Sequence, residues 1–210
     1  MTKIKICGMT CKADIDCVNR NNVDFAGFVM FFPKSKRNIS RSAAVELMKL
    51  LDSQIKRVAV VVSPTVDQIK IIEDCGFDYV QIHGELKNSV LECAEIPILR
   101  AFNVSNMNEF SACECCEKIA GYVFDAAEPG SGKVFDWLSV KDILVNTAKM
   151  YFLAGGLNPE NVGDAIGCLH PYGVDVSSGV ENDCSKGKDA AKVAEFVRRV
   201  RETEELAKNE

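Results

Sequence analysis

The sequence predicts an α/β protein, one parallel (β/α)8 TIM barrel forming a single domain over residues 1–210, and three observations carry that expectation. Eight short apolar or β-branched runs alternate with stretches of helical periodicity. Each unit is roughly 25 residues long, room for a strand, a crossover helix and two short loops. The chain is long enough for one substantial core and short for two. Periodicity does not reveal whether the sheet closes, so an open doubly wound sheet is the alternative it leaves standing.

Lys3 to Ile6 alternates as a short strand and runs directly into Cys7 and Gly8. A helix is expected from Thr10, with Cys11, Ile15 and Val18 on one face. Phe25 to Phe32 is a continuous apolar run suited to a parallel strand buried on both faces. The basic loop PKSKRNIS follows, then a helix with Ala44, Leu47, Met48 and Leu51 inward. Arg57 to Val62 is the third strand by β-branched content; Thr65 and Gln68 form a capping box for the next helix, and Gly76 closes it.

The fourth strand, Tyr79 to Ile82, ends in His83-Gly84-Glu85, and the fifth is Ile98 to Ala101. A helix over Met107 to Lys118 leads to the sixth, Gly121 to Phe124, which ends at Asp125. A weaker helical pattern covers Leu138 to Val145. The seventh strand, Tyr151 to Ala154, meets Gly155 and Gly156, then a helix with Asn158 as N-cap and Pro159 in its first turn. The eighth, Gly173 to Val176, runs into Ser177, Ser178 and Gly179. The segment ENDCSKGKD beyond it is unusually polar, the last helix carries Val193, Phe196, Val197 and Val200 on one face, and the charged tail is expected to fray from about residue 203.

A net charge of −5 without a basic cluster argues against nucleic acid or an anionic membrane surface as partner. The N-terminal apolar run is too short for a signal peptide, and VAVVV is far below a membrane span, so the expectation is a soluble cytoplasmic protein. Ten cysteines invite a metal or disulfide reading. Cys113, Cys115 and Cys116 contain one CxxC, but no second follows, and the only histidines are His83 and His170. A closed zinc site needs four ligands from paired motifs, so no metal is expected. Most of the thiols fall at apolar helix positions, where cysteine acts as a small hydrophobe in a reducing compartment.

In such a barrel chemistry gathers at the C-terminal ends of the strands, which makes a short list: Cys7, Lys34 to Arg37, His83, Asp125, Gly155, Gly156, Asp175 and Ser177 to Gly179. Glycines and hydroxyls after the last two strands expose backbone N–H groups suited to a phosphate, although each motif alone is most often a plain turn. An ordinary thiol, with a pKa of about 8.5, needs help from its surroundings to act as a base. Asp125 reads equally well as a helix cap or a solvated acid, Arg37 as a surface charge, and His83 as a strand cap. Arg37 could also hold a carboxylate in a two-pronged geometry.

Taken together and in order, KICGMT, GFVMFFPKSKR, VQIHGE, GSGKVFDW, LAGGLNPENV and DVSSGVE resemble the phosphoribosylanthranilate isomerase family of tryptophan biosynthesis. The resemblance runs from Lys3 to Glu181 and implies an Amadori rearrangement of an aminoaldose to 1-(2-carboxyphenylamino)-1-deoxyribulose 5-phosphate. It implies Cys7 as general base, Asp125 as general acid and Arg37 as the ligand of the anthranilate carboxylate. His83 joins the substrate-binding set, and Asp175 would orient the substrate amino group. The phosphate would rest on the backbone of Gly155, Gly156, Ser178 and Gly179, with Gly132 from the GSGK loop. The implied partner is a small phosphosugar, with no cofactor or metal, handled by a monomer or homodimer. A related phosphosugar barrel, such as indole-glycerol-phosphate synthase or a ribulose-phosphate epimerase, is the alternative enzyme. It would want a lysine acid at a strand end, or acidic and histidine metal ligands, and neither pattern is visible. A catalytically idle phosphosugar-binding protein is the third reading.

Overall fold

The computed structural model describes residues 1–103, 110–125, 147–183 and 186–208. Eight strands close in sequence order into one parallel barrel: β1 (Lys3–Cys7), β2 (Phe25–Val29), β3 (Lys56–Val62), β4 (Tyr79–His83), β5 (Ile98–Asn103), β6 (Ile119–Asp125), β7 (Met150–Leu153) and β8 (Gly173–Val176). Closure is made by β8 pairing with β1, with Lys5 opposite Asp175 and Ile6 opposite Val176. The open-sheet alternative is thereby excluded.

Both faces of each strand are buried, as the unbroken apolar runs require. On β1, Ile4 and Ile6 point outward into the layer beneath the helices, while Lys5 and Cys7 point into the barrel. On β2 and β3 the outward set is Ala26, Phe28, Ala59 and Val61, and the inward set Phe25, Val58 and Val60. Phe25 and Phe152 meet edge to face inside the barrel, with centroids 5.1 Å apart, and Phe25 also leans on Tyr79. Such aromatic pairs add about 1 kcal/mol each beyond the area they bury. They plug the N-terminal half of the barrel, so any cavity must open at the other end.

The described helices are α1 (Lys12–Arg20), α2 (Arg41–Met48), α3 (Val66–Asp74), α4 (Asn88–Cys93), α5 (Phe110–Glu114), α6 (Val162–Leu169) and α7 (Ala190–Lys208). The α3 capping box forms as expected: Thr65 N donates to Gln68 Oε1 at 3.0 Å and Gln68 N to Thr65 Oγ1 at 3.3 Å. Gly76 ends that unit at φ +81°. Short α4 has no counterpart in the sequence reading, and the expected helix over Leu138 to Val145 lies outside the described residues.

Several boundaries differ from expectation by a few residues, and three of them have a clear local cause. α1 begins at Lys12, with exposed Cys11 as its cap, because the Asp14 carboxylate takes the N–H groups of Thr10 and Cys11 and holds them outside the helix. β2 stops at Val29 instead of Phe32. Phe31 turns to φ +57°, Asn38 Oδ1 accepts from Phe32 N, and Ile39 N returns to Val29 O, so the basic loop folds back over the barrel. α6 starts at Val162 instead of after Asn158, whose side chain accepts from Glu160 N and Asn161 N in a tight turn that delays the helix. The last helix, α7, runs to Lys208. Arg201 donates to Thr2 O and Glu204 accepts from Thr2 N, fastening this helix to the first residues.

Candidate active site

The C-terminal ends of the strands surround a pocket of about 500 Å³, a volume suited to one small molecule. Cys7 reaches it from β1, Asp125 from β6, His83 from β4 and Asp175 from β8; Arg37 reaches it from the loop after β2. Gly155, Gly156 and Ser178 line it from the loops after β7 and β8. Gly179 stands a step behind: a Cβ there would run into the carbonyl oxygen of Leu157, so its lack of a side chain lets those two loops touch. Gly132 lies outside the described residues.

Cys7 is buried at the end of β1, with Gly27 beside it on β2. A Cβ on Gly27 would stand 2.9 Å from Cys7 Sγ, so the glycine makes room for the thiol. Ser177 Oγ donates to Cys7 O at 2.9 Å, and Lys188 Nζ donates to Ser177 O at 3.0 Å, fixing the strand end. Burial pushes the thiol pKa up, while Lys5, Lys188 and Arg37 pull it down and Asp175 adds to the rise; burial is the larger effect.

Lys5 is the site residue that the sequence reading passed over. Its side chain is 0% exposed, and Nζ lies 2.8 Å from Asp175 Oδ2. The signal was present in KIKIC, whose alternation puts Lys5 and Cys7 on one face. A lysine in a short alternating strand ordinarily reads as its solvent side. Asp175 keeps its other oxygen, Oδ1, without a hydrogen bond among the described residues.

Gln81 was also missed. Its Nε2 donates to His83 Nε2 at 2.8 Å, which fixes the imidazole as a neutral acceptor. Burial, then the charges of Lys5 and Arg100, lower the His83 pKa to about 4. Gln81 Oε1 is buried in the pocket without a hydrogen bond among the described residues. Two unmet acceptors, on Gln81 and Asp175, favour a ligand that brings hydroxyl or amine donors.

Arg37 crosses over Gly8, whose φ is +90° and where a Cβ would stand 2.6 Å from Arg37 Cδ. Its Nε donates to Glu181 Oε1 at 2.5 Å. Neither Nη group donates to a described residue, and Arg37 is among the residues that line the pocket. Burial would raise the Glu181 pKa, but hydrogen bonds from Arg37 and Lys36, with Lys188 nearby, hold it at about 2. Lys188 itself is fully buried and belongs to the polar segment after β8.

After β7, Gly155 and Gly156 take left-handed φ of +80° and +71°. Asn161 Nδ2 donates to Gly156 O at 2.9 Å and pins this turn. After β8, Ser178–Val180 forms a single 3-10 turn whose first N–H groups have no intrahelical acceptor. Among the described residues no group of three or more His, Cys, Asp or Glu is disposed to hold a metal ion. No described helix is long and apolar enough to cross a membrane.

A closed parallel barrel with a thiol, a carboxyl group and a cation lining one pocket at its C-terminal end has the architecture of a (β/α)8-barrel enzyme. The sequence profile described as N-(5'phosphoribosyl)anthranilate (PRA) isomerase matches residues 4–199. The N-(5'-phosphoribosyl)anthranilate isomerase of Streptococcus mutans is 36% identical over 202 residues, 96% of this chain and 100% of that protein. The crystal structure of phosphoribosyl anthranilate isomerase from Thermus thermophilus superposes with a TM-score of 0.84 at 27% identity, covering 96% of this chain and 99% of that one. A phosphoribosyl anthranilate isomerase solved in complex with reduced 1-(o-carboxyphenylamino)-1-deoxyribulose 5-phosphate superposes at 0.82 with 32% identity, covering 96% and 100%. The chain belongs to the N-(5'-phosphoribosyl)anthranilate isomerase family, whose members are aldose–ketose isomerases.

Proposed function

We infer that this protein isomerises N-(5-phosphoribosyl)anthranilate to 1-(2-carboxyphenylamino)-1-deoxyribulose 5-phosphate, a step of tryptophan biosynthesis. The observation that carries the reading is that Cys7 and Asp125, on β1 and β6, line one pocket, beside which the glycine turn after β7 offers backbone to a phosphate. Asp125 enters protonated and gives its proton to the furanose ring oxygen. The C1–O bond breaks, the substrate nitrogen donates its lone pair, and an open-chain Schiff base results. Cys7, as thiolate, takes the proton from C2; the C–H electrons neutralise the iminium and leave an enolamine. A proton added at C1 and one lost from the C2 hydroxyl give the ketone, and solvent exchange resets the acid and base. Groups of this kind contribute roughly 10²- to 10⁴-fold each.

Binding holds the reacting carbons between these two side chains. The Arg37 guanidinium takes the anthranilate carboxylate through its Nη edge. The phosphate rests on Gly155, Gly156, Ser178 and Gly179, with Gly132 as a further donor. Asp175 accepts the substrate N–H with Oδ1, and His83, fixed neutral by Gln81, borders the sugar. The enzyme works in the cytoplasm as a monomer or homodimer. Its chemistry is proton transfer alone and asks for no cofactor.

The test is consumption of phosphoribosylanthranilate, followed as loss of its fluorescence, by purified protein in the presence of a chelator. Steady turnover is expected; no turnover, or turnover abolished by the chelator, would contradict the reading. Cys7→Ala and Asp125→Asn are each expected to lose at least about 100-fold in kcat while still binding the product.

A further inference from the structure

We propose that Lys5 is the positioning residue that makes Cys7 a base: its ammonium, tethered to Asp175 inside the barrel, holds the Cys7 thiolate in an ion pair. The inference deepens the proposed function and rests on Cys7 being the proton acceptor there. Its footing is geometric. Lys5 and Asp175 face each other across the seam where β8 closes on β1, and Cys7 follows two residues later on the same face. With 0% exposure, the Lys5 ammonium has no water to turn to. One of its three donors goes to Asp175, and its positive charge is the largest of the charge effects that favour the Cys7 thiolate.

A buried ion pair alone is weak grounds for a role, since an apolar pair of equal volume often stabilises as well. Two features set this one apart. Asp175 leaves Oδ1 without a hydrogen bond among the described residues, in a pocket, which a purely structural pair would not do. The other charges around Cys7 are committed elsewhere. Arg37, from the loop after β2, pairs with Glu181, and Lys188, from the segment before α7, donates to Ser177 O and lies near Glu181. Of the charged groups acting on the thiol, Lys5 from β1 and Asp175 from β8 act most strongly, ahead of Lys188 and Arg37. In turnover the S–H bond forms as the C2–H bond breaks. The ammonium keeps its protons throughout and stabilises the thiolate before the transfer.

The experiment follows alkylation of Cys7 by iodoacetamide against pH, read by mass on the Cys7 peptide because Cys11 and Cys115 are exposed thiols that react as well. Lys5→Met keeps volume without charge, and its alkylation midpoint is expected to rise by about one pH unit or more. Asp175→Asn keeps the ammonium and removes its counter-charge, and its midpoint is expected to fall. Opposite signs from two variants of one ion pair are not produced by loss of structure. kcat of Lys5→Met is expected to drop by about 100-fold at neutral pH, with a smaller change in KM, and to recover as pH rises. In Lys5→Ala, propylamine but not propanol is expected to restore part of kcat, which keeps the test open if Lys5→Met folds poorly. A wild-type midpoint in Lys5→Met, or a midpoint that rises in both variants, overturns the inference. If the wild-type protein fails to turn over phosphoribosylanthranilate, the proposed function falls by itself, and the midpoints still report on Lys5.

Discussion

At Gly8 two constraints meet in one residue: a left-handed backbone, and an arginine side chain lying where a Cβ would be. Gly8→Ala is therefore expected to lose about 1–2 kcal/mol of stability from the backbone alone. It also displaces Arg37, so KM should rise about tenfold or more while kcat changes less. Urea unfolding and steady-state kinetics measure the two effects separately; an unchanged KM would show that Arg37 does not hold the substrate. The Cys7-Gly8 pair was legible in the sequence because a glycine straight after a strand is a local signal. Lys5 and Gln81 were not, because their importance comes from strand closure, which turns ordinary polar alternation into barrel interior. Glu181 was read only as the end of a motif. Its pairing with Arg37 spans 144 positions of chain, and no local pattern reports it.

Among the elements, α1 shows how a helix end serves the site. Asp14 is fully buried; Oδ2 accepts from Thr10 N at 2.7 Å, Thr10 Oγ1 at 2.9 Å and Cys11 N at 3.2 Å, and Oδ1 accepts from Lys188 N at 2.7 Å. One carboxylate thus caps α1 and anchors the segment carrying Lys188, which in turn holds Ser177 against Cys7. Asp14→Ala leaves one buried and three partly buried donors unmet and is expected to cost about 2–4 kcal/mol. Asp14→Asn should cost less, since it retains an acceptor; a denaturation series with both variants decides whether the clasp acts as described. All eight strands were readable to within three residues, because apolar runs buried on both faces leave a strong mark. The starts of α1 and α6 were read two and three residues early, since Asp14 and Asn158 compete for the backbone N–H groups that a first helical turn would otherwise arrange.

Over the whole molecule, the closed barrel puts apolar packing at one end and buried charge at the other, so stability should depend on pH through groups at the site. His83 has a folded pKa of about 4, lowered by burial and then by Lys5 and Arg100, against about 6.5 when unfolded. Between those values the unfolded chain binds the extra proton. Its contribution is therefore complete above pH 6.5 and disappears as pH falls to 4. Glu181, held at about 2 against an ordinary 4.5, contributes fully above 4.5 and loses that contribution as pH falls to 2. Each shift corresponds to at most about 3 kcal/mol, less where water screens the pair. Burial raises Asp175, which works in the opposite direction over part of the upper range. A comparison that keeps Asp175 in both proteins cancels it to first order. The free energy of urea unfolding is thus expected to fall in two successive windows on acidification, and His83→Gln should remove the upper one while leaving the lower. If His83→Gln retains the full slope between pH 6.5 and 4, the imidazole is not held neutral by the barrel, and the hydrogen bond from Gln81 that fixes it as an acceptor loses its energetic basis.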